Sequence, residues 1–125
     1  MKRFYIIVLL STLFLKLKAQ IVYGIDVSGN NGTITNANWA SYKAAGVEFA
    51  FEKATEGKSY TSYALNTNVT NGSASQVRMG VYHFALPEDN PAVSEANYFL
   101  NNAGNYIGTG YLPPSLDIED PSLSA

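Results

Sequence analysis

Four short β-strand signals alternate with three helical ones, and that order predicts an α/β fold with a parallel sheet and helices packed outside it. Two observations carry the reading. The alternation is strict from Ile21 to Glu119. Clusters of Gly, Pro and Asn also punctuate its boundaries, as turn residues do.

Residues 21–28 are rich in Val and Ile and stop at Gly29-Asn30-Asn31-Gly32, so they read as the first strand. Asn36 is placed to cap a helix reaching about Ala45, with Trp39, Tyr42 and Ala45 three apart and Gly46 as the C-terminal glycine. Residues 47–54 form the second strand, in which Val47, Phe49 and Phe51 alternate with Glu48, Ala50 and Glu52. A polar loop over residues 55–62 leads to a weak helix over 63–76. The third strand is 77–85. Pro91 opens a third helix over 92–103, with Val93, Ala96, Phe99 and Leu100 on one face. Residues 112–119 are the fourth strand, with Pro113 and Pro114 near its start.

Composition limits what such a domain does. The chain has 125 residues and no cysteine, which excludes disulfides, thiolate zinc sites and a cysteine nucleophile. Lys2 and Arg3, the apolar run over residues 4–15 and Ala19 read as an export signal over residues 1–19. That run is 12 residues, short of the ~20 needed to cross a bilayer. Residues 20–125 then carry four basic and ten acidic side chains, a formal charge of −6. Such a balance opposes nucleic-acid binding and capture by anionic surfaces. Thirteen aromatic residues remain in that span, and rings in excess of cations suit a cleft for sugars.

In parallel α/β folds chemistry gathers at the C-terminal ends of strands. That rule singles out Asp26, Lys53 with Glu56, His83, and Asp117 with Glu119. Asp117-Ile118-Glu119 is the sharpest feature. Strand side chains repeat direction every second residue, so both carboxylates face one side, roughly 6.6 Å apart along the strand. Crowded carboxylates divide into a protonated acid and an ionised partner, which glycoside hydrolysis requires. His83 lies between Tyr82 and Phe84, which suits a core histidine as well as a ligand. A single histidine and acids without ligand spacing give no expectation of a metal or other cofactor. Asn31-Gly32-Thr33, Asn68-Val69-Thr70 and Asn71-Gly72-Ser73 are glycosylation sequons if the source is eukaryotic.

Together four motifs resemble glycoside hydrolase family 25, the Chalaropsis-type lysozymes. They are Gly24-Ile25-Asp26-Val27-Ser28, the run Phe49-Ala50-Phe51-Glu52-Lys53-Ala54-Thr55-Glu56-Gly57, then Gly80-Val81-Tyr82-His83-Phe84, and Leu116-Asp117-Ile118-Glu119. The resemblance implies a modified (β/α) barrel and hydrolysis of the β-1,4 bond after N-acetylmuramic acid in peptidoglycan, outside the cell. It implies Glu119 as proton donor, Asp117 as the group that orients or stabilises the substrate's acetamido group, and Asp26 as the other acid of the cleft. Lys53, Glu56, Tyr82 and His83 are the expected substrate-binding residues. Glu52 stands where the family usually has an apolar residue, and Ser62 where Asp or Asn is common.

The family's barrel has eight strands, whereas this chain ends six residues after Glu119. The expectation is therefore an N-terminal part of a catalytic domain, four strands with outer helices, of poor stability and little activity if it stands alone. Such a half barrel leaves two sheet edges and the inner strand faces uncovered. A wall-glycan binding module without turnover is the alternative. A chitinase-type hydrolase shares the Asp-x-Glu end, but its longer acidic pattern is interrupted here by Leu112 and Ser115.

Overall fold

The computed structural model describes residues 21–119, so the expected export signal lies outside the described residues. The strands are β1 (Tyr23–Val27), β2 (Val47–Glu56), β3 (Tyr60–Thr61), β4 (Arg78–Phe84) and β5 (Ser115–Asp117). The helices are α1 (Asn36–Ala44), α2 (Leu65–Ala74) and α3 (Ala92–Ala103). The sheet order is β1-β2-β4-β5, every neighbouring pair parallel, and it forms part of a (β/α) barrel.

The alternation expected from sequence is present, with one addition. The loop after β2 is not irregular: β2 runs on to Glu56, and β3 folds back antiparallel on it through Thr55–Thr61 and Glu56–Tyr60. At the other end, β5 is only three residues long. Pro113 and Pro114 have no N–H to give a ladder, so regular pairing begins after them.

Register sorts the side chains. Pairing of Gly24 with Phe49, Asp26 with Phe51, Phe51 with Gly80, Lys53 with Tyr82 and Phe84 with Asp117 puts these residues on one face, the inner face of the curl. Ile25, Val27, Ala50, Glu52, Val81 and His83 take the outer face, beneath the helices. The buried core lies there: Val27, Ala50, Met79 and Val81 from the sheet meet Trp39, Leu65, Val69 and Phe99 from the helices. Glycine permits the closest approach, since a Cβ on Gly72 of α2 would lie 2.4 Å from Met79 Sδ on β4.

Two helix details differ from expectation. The cap of α1 is Thr35 rather than Asn36; its Oγ1 accepts from Asn38 N at 3.2 Å. Gly46 follows α1 at φ +98°, the left-handed conformation expected of that glycine. The buried stripe of α3 is Glu95, Phe99 and Ala103, while Val93 and Leu100 are exposed. The helix is turned because Glu95 finds polar partners inside. Its neighbouring face, with Ala92, Ala96 and Phe99, forms an apolar groove of about 390 Å³ against Pro114, Leu116 and Ile118.

Candidate active site

The inner face rests on two phenylalanines. A Cβ on Gly24 would lie 2.1 Å from the Phe49 ring, and one on Gly80 would lie 2.6 Å from the Phe51 ring. The two rings therefore lie over glycines of the flanking strands and meet edge to face, 6.2 Å between centroids. They line the inner face below the strand ends, where a cavity of about 600 Å³ opens between them and Leu112 and Pro113.

At the end of β2 the ladder to β4 slips between Lys53 and Thr55. The bulge changes which residues share a side. Thr55 pairs with outer-facing His83 and Glu56 with inner-facing Phe84, so Lys53 and Glu56, three apart, both reach the inner side. Lys53 Nζ forms an ion pair with Glu56. The ammonium also lies 4.3 Å from the Phe84 ring centroid and 5.7 Å from that of Tyr60.

Asp26, Tyr82, Asp117 and Glu119 share this mouth. Asp117 is half-buried and its backbone carbonyl accepts from Ala85 N at 2.9 Å, while Glu119 is exposed. Burial first, then the charges of Asp26, Asp117, Glu52 and Glu119, push the Tyr82 phenol up to about 12. Tyr82 therefore keeps its proton and stays a hydrogen-bond donor at any ordinary pH.

His83 does not join this group. It sits on the outer face, buried, with Nδ1 2.7 Å from Thr55 Oγ1 and Nε2 3.0 Å from Glu95 Oε2. Glu95 also accepts from Leu86 N at 3.1 Å and from Asn90 Nδ2 at 2.9 Å. Burial raises the Glu95 pKa, but the hydrogen bonds from His83, Asn90 and Leu86 N outweigh it and hold the carboxyl below its usual range. An ionised Glu95 only accepts, so Nε2 carries the proton of that bond. The relay clamps the β2 bulge, β4 and the start of α3 together behind the mouth.

A second buried carboxylate supports the other side. Glu52 is fully buried; Oε1 accepts from Ser62 Oγ at 3.0 Å and Oε2 from Asn68 Nδ2 at 2.9 Å. Asn68 also donates to Gly32 O at 3.1 Å and accepts from Ile34 N at 2.7 Å. This fixes the loop after β1 to α2. It also removes Asn68 from the candidate glycosylation sites, because its amide is buried and committed.

Sequence reasoning singled out neither Glu95 nor the rim tyrosines, Tyr60 and Tyr63. A signal for Glu95 exists, as it is the one charged residue in α3. The tyrosines stood in and beside a segment read as a polar loop.

A half-closed parallel barrel whose mouth gathers carboxylates, a phenol and aromatic rings defines the class of barrel-fold glycoside hydrolases. The sequence profile described as Glycosyl hydrolases family 25 matches residues 25–125, and the chain belongs to that family. It is 42% identical over 99 residues to Lysozyme M1 of Streptomyces globisporus, covering 78% of this chain and 33% of that protein. It is 34% identical over 102 residues to the N,O-diacetylmuramidase of a Chalaropsis species, covering 78% of this chain and 47% of that protein. The solved muramidase from Trichobolus zukalii superposes with a TM-score of 0.71 at 33% identity, covering 82% of this chain and 48% of that one. The chain thus spans a third to a half of the length of these relatives.

Proposed function

We propose that the protein hydrolyses peptidoglycan as an N-acetylmuramidase, cutting the β-1,4 bond between N-acetylmuramic acid and N-acetylglucosamine. One observation carries the reading: strand register puts Asp26, Tyr82 and Asp117 on the inner face of one sheet near the C-terminal ends of its strands, with Glu119 two residues beyond Asp117. The relatives named lysozyme and N,O-diacetylmuramidase support it.

In this reading Glu119 gives its proton to the glycosidic oxygen as the C–O bond breaks. Asp117 orients or stabilises the acetamido group beside the anomeric carbon, Asp26 is the second acid of the cleft, and water supplies the hydroxyl that ends on that carbon while its other proton passes to a carboxylate of the cleft. Tyr82 donates a hydrogen bond to the sugar. Lys53 and Glu56, locked as a pair against Phe84, border the substrate. His83 acts from behind, through Thr55 and Glu95. The substrate lies outside the cell, so the protein is exported and its mature form begins at or near Gln20.

Incubation with purified peptidoglycan, followed by identification of the new reducing ends, tests this. Muramic acid ends are expected. Glucosamine ends assign a glucosaminidase instead, and binding without new ends assigns a wall-glycan binding module.

A further inference from the structure

The search leads to the rim between the loop after β1 and the β2–β3 hairpin. Tyr63 is 71% exposed, yet its hydroxyl donates to Gly29 O at 2.8 Å. That bond fixes the tip of the ring without burying its face. Tyr60 is 40% exposed and closes on the same residue. A Cβ on Gly29 would lie 3.0 Å from the Tyr60 hydroxyl and 3.1 Å from a Tyr63 ring carbon. Both rings therefore converge on a position that has no side chain to push them away.

The supports of these rings are rigid. Thr61, beside Tyr60, shares a hydroxyl hydrogen bond of 3.0 Å with Tyr98 on α3. Ser62, beside Tyr63, is held by buried Glu52. The rings are also continuous with the mouth, because the Lys53 ammonium lies over both the Phe84 and Tyr60 rings. A line of aromatic surface thus runs from Phe84 past Lys53 to Tyr60 and Tyr63.

We propose that Tyr60 and Tyr63 form a stacking platform for a pyranose ring of the glycan strand, at a position beyond the sugars flanking the cleaved bond. This rests on the muramidase reading above. A pyranose offers an apolar C–H face ringed by hydroxyls, which matches a fixed aromatic face wet at its border. The ring stacked there is the strand's uncharged sugar, N-acetylglucosamine, rather than an anionic group, since acids outnumber bases ten to four in residues 20–125. Pre-set rings lose little freedom when the sugar arrives, so the contact adds affinity in proportion to glycan length.

Calorimetric titration with soluble peptidoglycan glycan oligomers of two, four and six sugars, on a Glu119→Gln background that leaves them uncut and with the rim wild type or substituted as stated, tests the platform. With the wild-type rim the protein gains affinity with length. Tyr63→Ala binds the longest oligomer roughly threefold to tenfold more weakly and the disaccharide equally well. Tyr63→Phe, which keeps the ring and drops only its tether, loses less. Gly29→Ala, whose methyl crowds the Tyr60 hydroxyl and the edge of the Tyr63 ring by a few tenths of an ångström, loses less than Tyr63→Ala. If Tyr63→Ala binds the hexasaccharide like the wild-type rim, the platform is wrong while the muramidase reading stands. If the protein with the wild-type rim binds none of the oligomers, that reading fails and the platform with it.

Discussion

Ser62 Oγ donates to Glu52 Oε1 at 3.0 Å in the interior between β2 and α2. Both are positions at which the sequence was expected to differ from the family it resembles, and in the structure each is the other's partner. Asn68 completes the set by donating to the second carboxylate oxygen.

The pH dependence of this cluster follows from its sign. Burial raises the Glu52 pKa, and the bonds from Asn68 and Ser62 only partly oppose it. A carboxyl raised above its unfolded value of about 4.3 contributes stability that is complete below that value and is lost as pH rises through the folded one. Glu52→Gln removes this titration and keeps a group of the same shape. The variant should gain stability relative to wild type between pH 4 and 7, by about 1.4 kcal/mol for each unit of elevation. Urea unfolding at three pH values measures the difference; a gap that does not change with pH rejects the argument.

Glu95 carries the opposite sign. Its depressed pKa gives stability that is present above about 4.3 and is lost as pH falls through the lower folded value. Glu95→Ala strands His83 Nε2, Leu86 N and Asn90 Nδ2 in the interior. Leaving a buried donor such as His83 Nε2 unsatisfied costs about 1–3 kcal/mol. Denaturant titration at pH 7 should show that loss, and the difference between variant and wild type should shrink towards pH 3.

Much of this fold is legible in sequence because alternation and turn residues are local signals. Residues 92–103 read correctly as a helix after Pro91, down to both ends. Which face of it is buried was not legible. Hydrophobicity favoured Val93 and Leu100, whereas four hydrogen bonds to Glu95, from His83, Leu86 N and Asn90, decided the rotation, and those partners are 5 to 12 residues away. His83 shows the same limit. The strand-end rule brought it to the mouth with Tyr82, but period two sends adjacent residues to opposite faces. The Lys53–Thr55 bulge was equally hidden, since it depends on pairing with β4. Strand period and strand order suffice to put Asp26 and Asp117 on the inner face, whereas the strand expected over residues 112–119 ends at Asp117 and Glu119 lies beyond it.

The inner-face packing makes a direct prediction. Gly80→Ala puts a methyl 2.6 Å from the Phe51 ring and 3.0 Å from Leu112 Cβ. Overpacking of this kind costs about 1–3 kcal/mol. Adding Phe51→Leu should recover part of the loss by making room. Equilibrium unfolding of the single and double variants decides it, and strictly additive losses would mean that the two residues do not share the space.

The last prediction concerns the proton donor. Glu119 follows Asp117 by two residues and is exposed at the mouth, so its carboxyl is open to an arriving sugar while Asp117 is held half-buried on the strand. Tyr82 cannot replace it as an acid, because a phenol at about 12 holds its proton too firmly to protonate a leaving oxygen near neutrality. Replacing Glu119 with Gln keeps size and hydrogen bonding but removes the transferable proton. General acid catalysis is worth roughly 10²–10⁴ in rate, so in the full-length enzyme Glu119→Gln should lower peptidoglycan turnover at least about a hundredfold while glycan binding persists. Tyr82→Phe, which deletes only a hydrogen bond to the sugar, should weaken turnover far less. Reducing-end release measured for both variants beside a binding titration separates the roles. Near wild-type release by Glu119→Gln would place the acid elsewhere in the mouth and overturn the assignment.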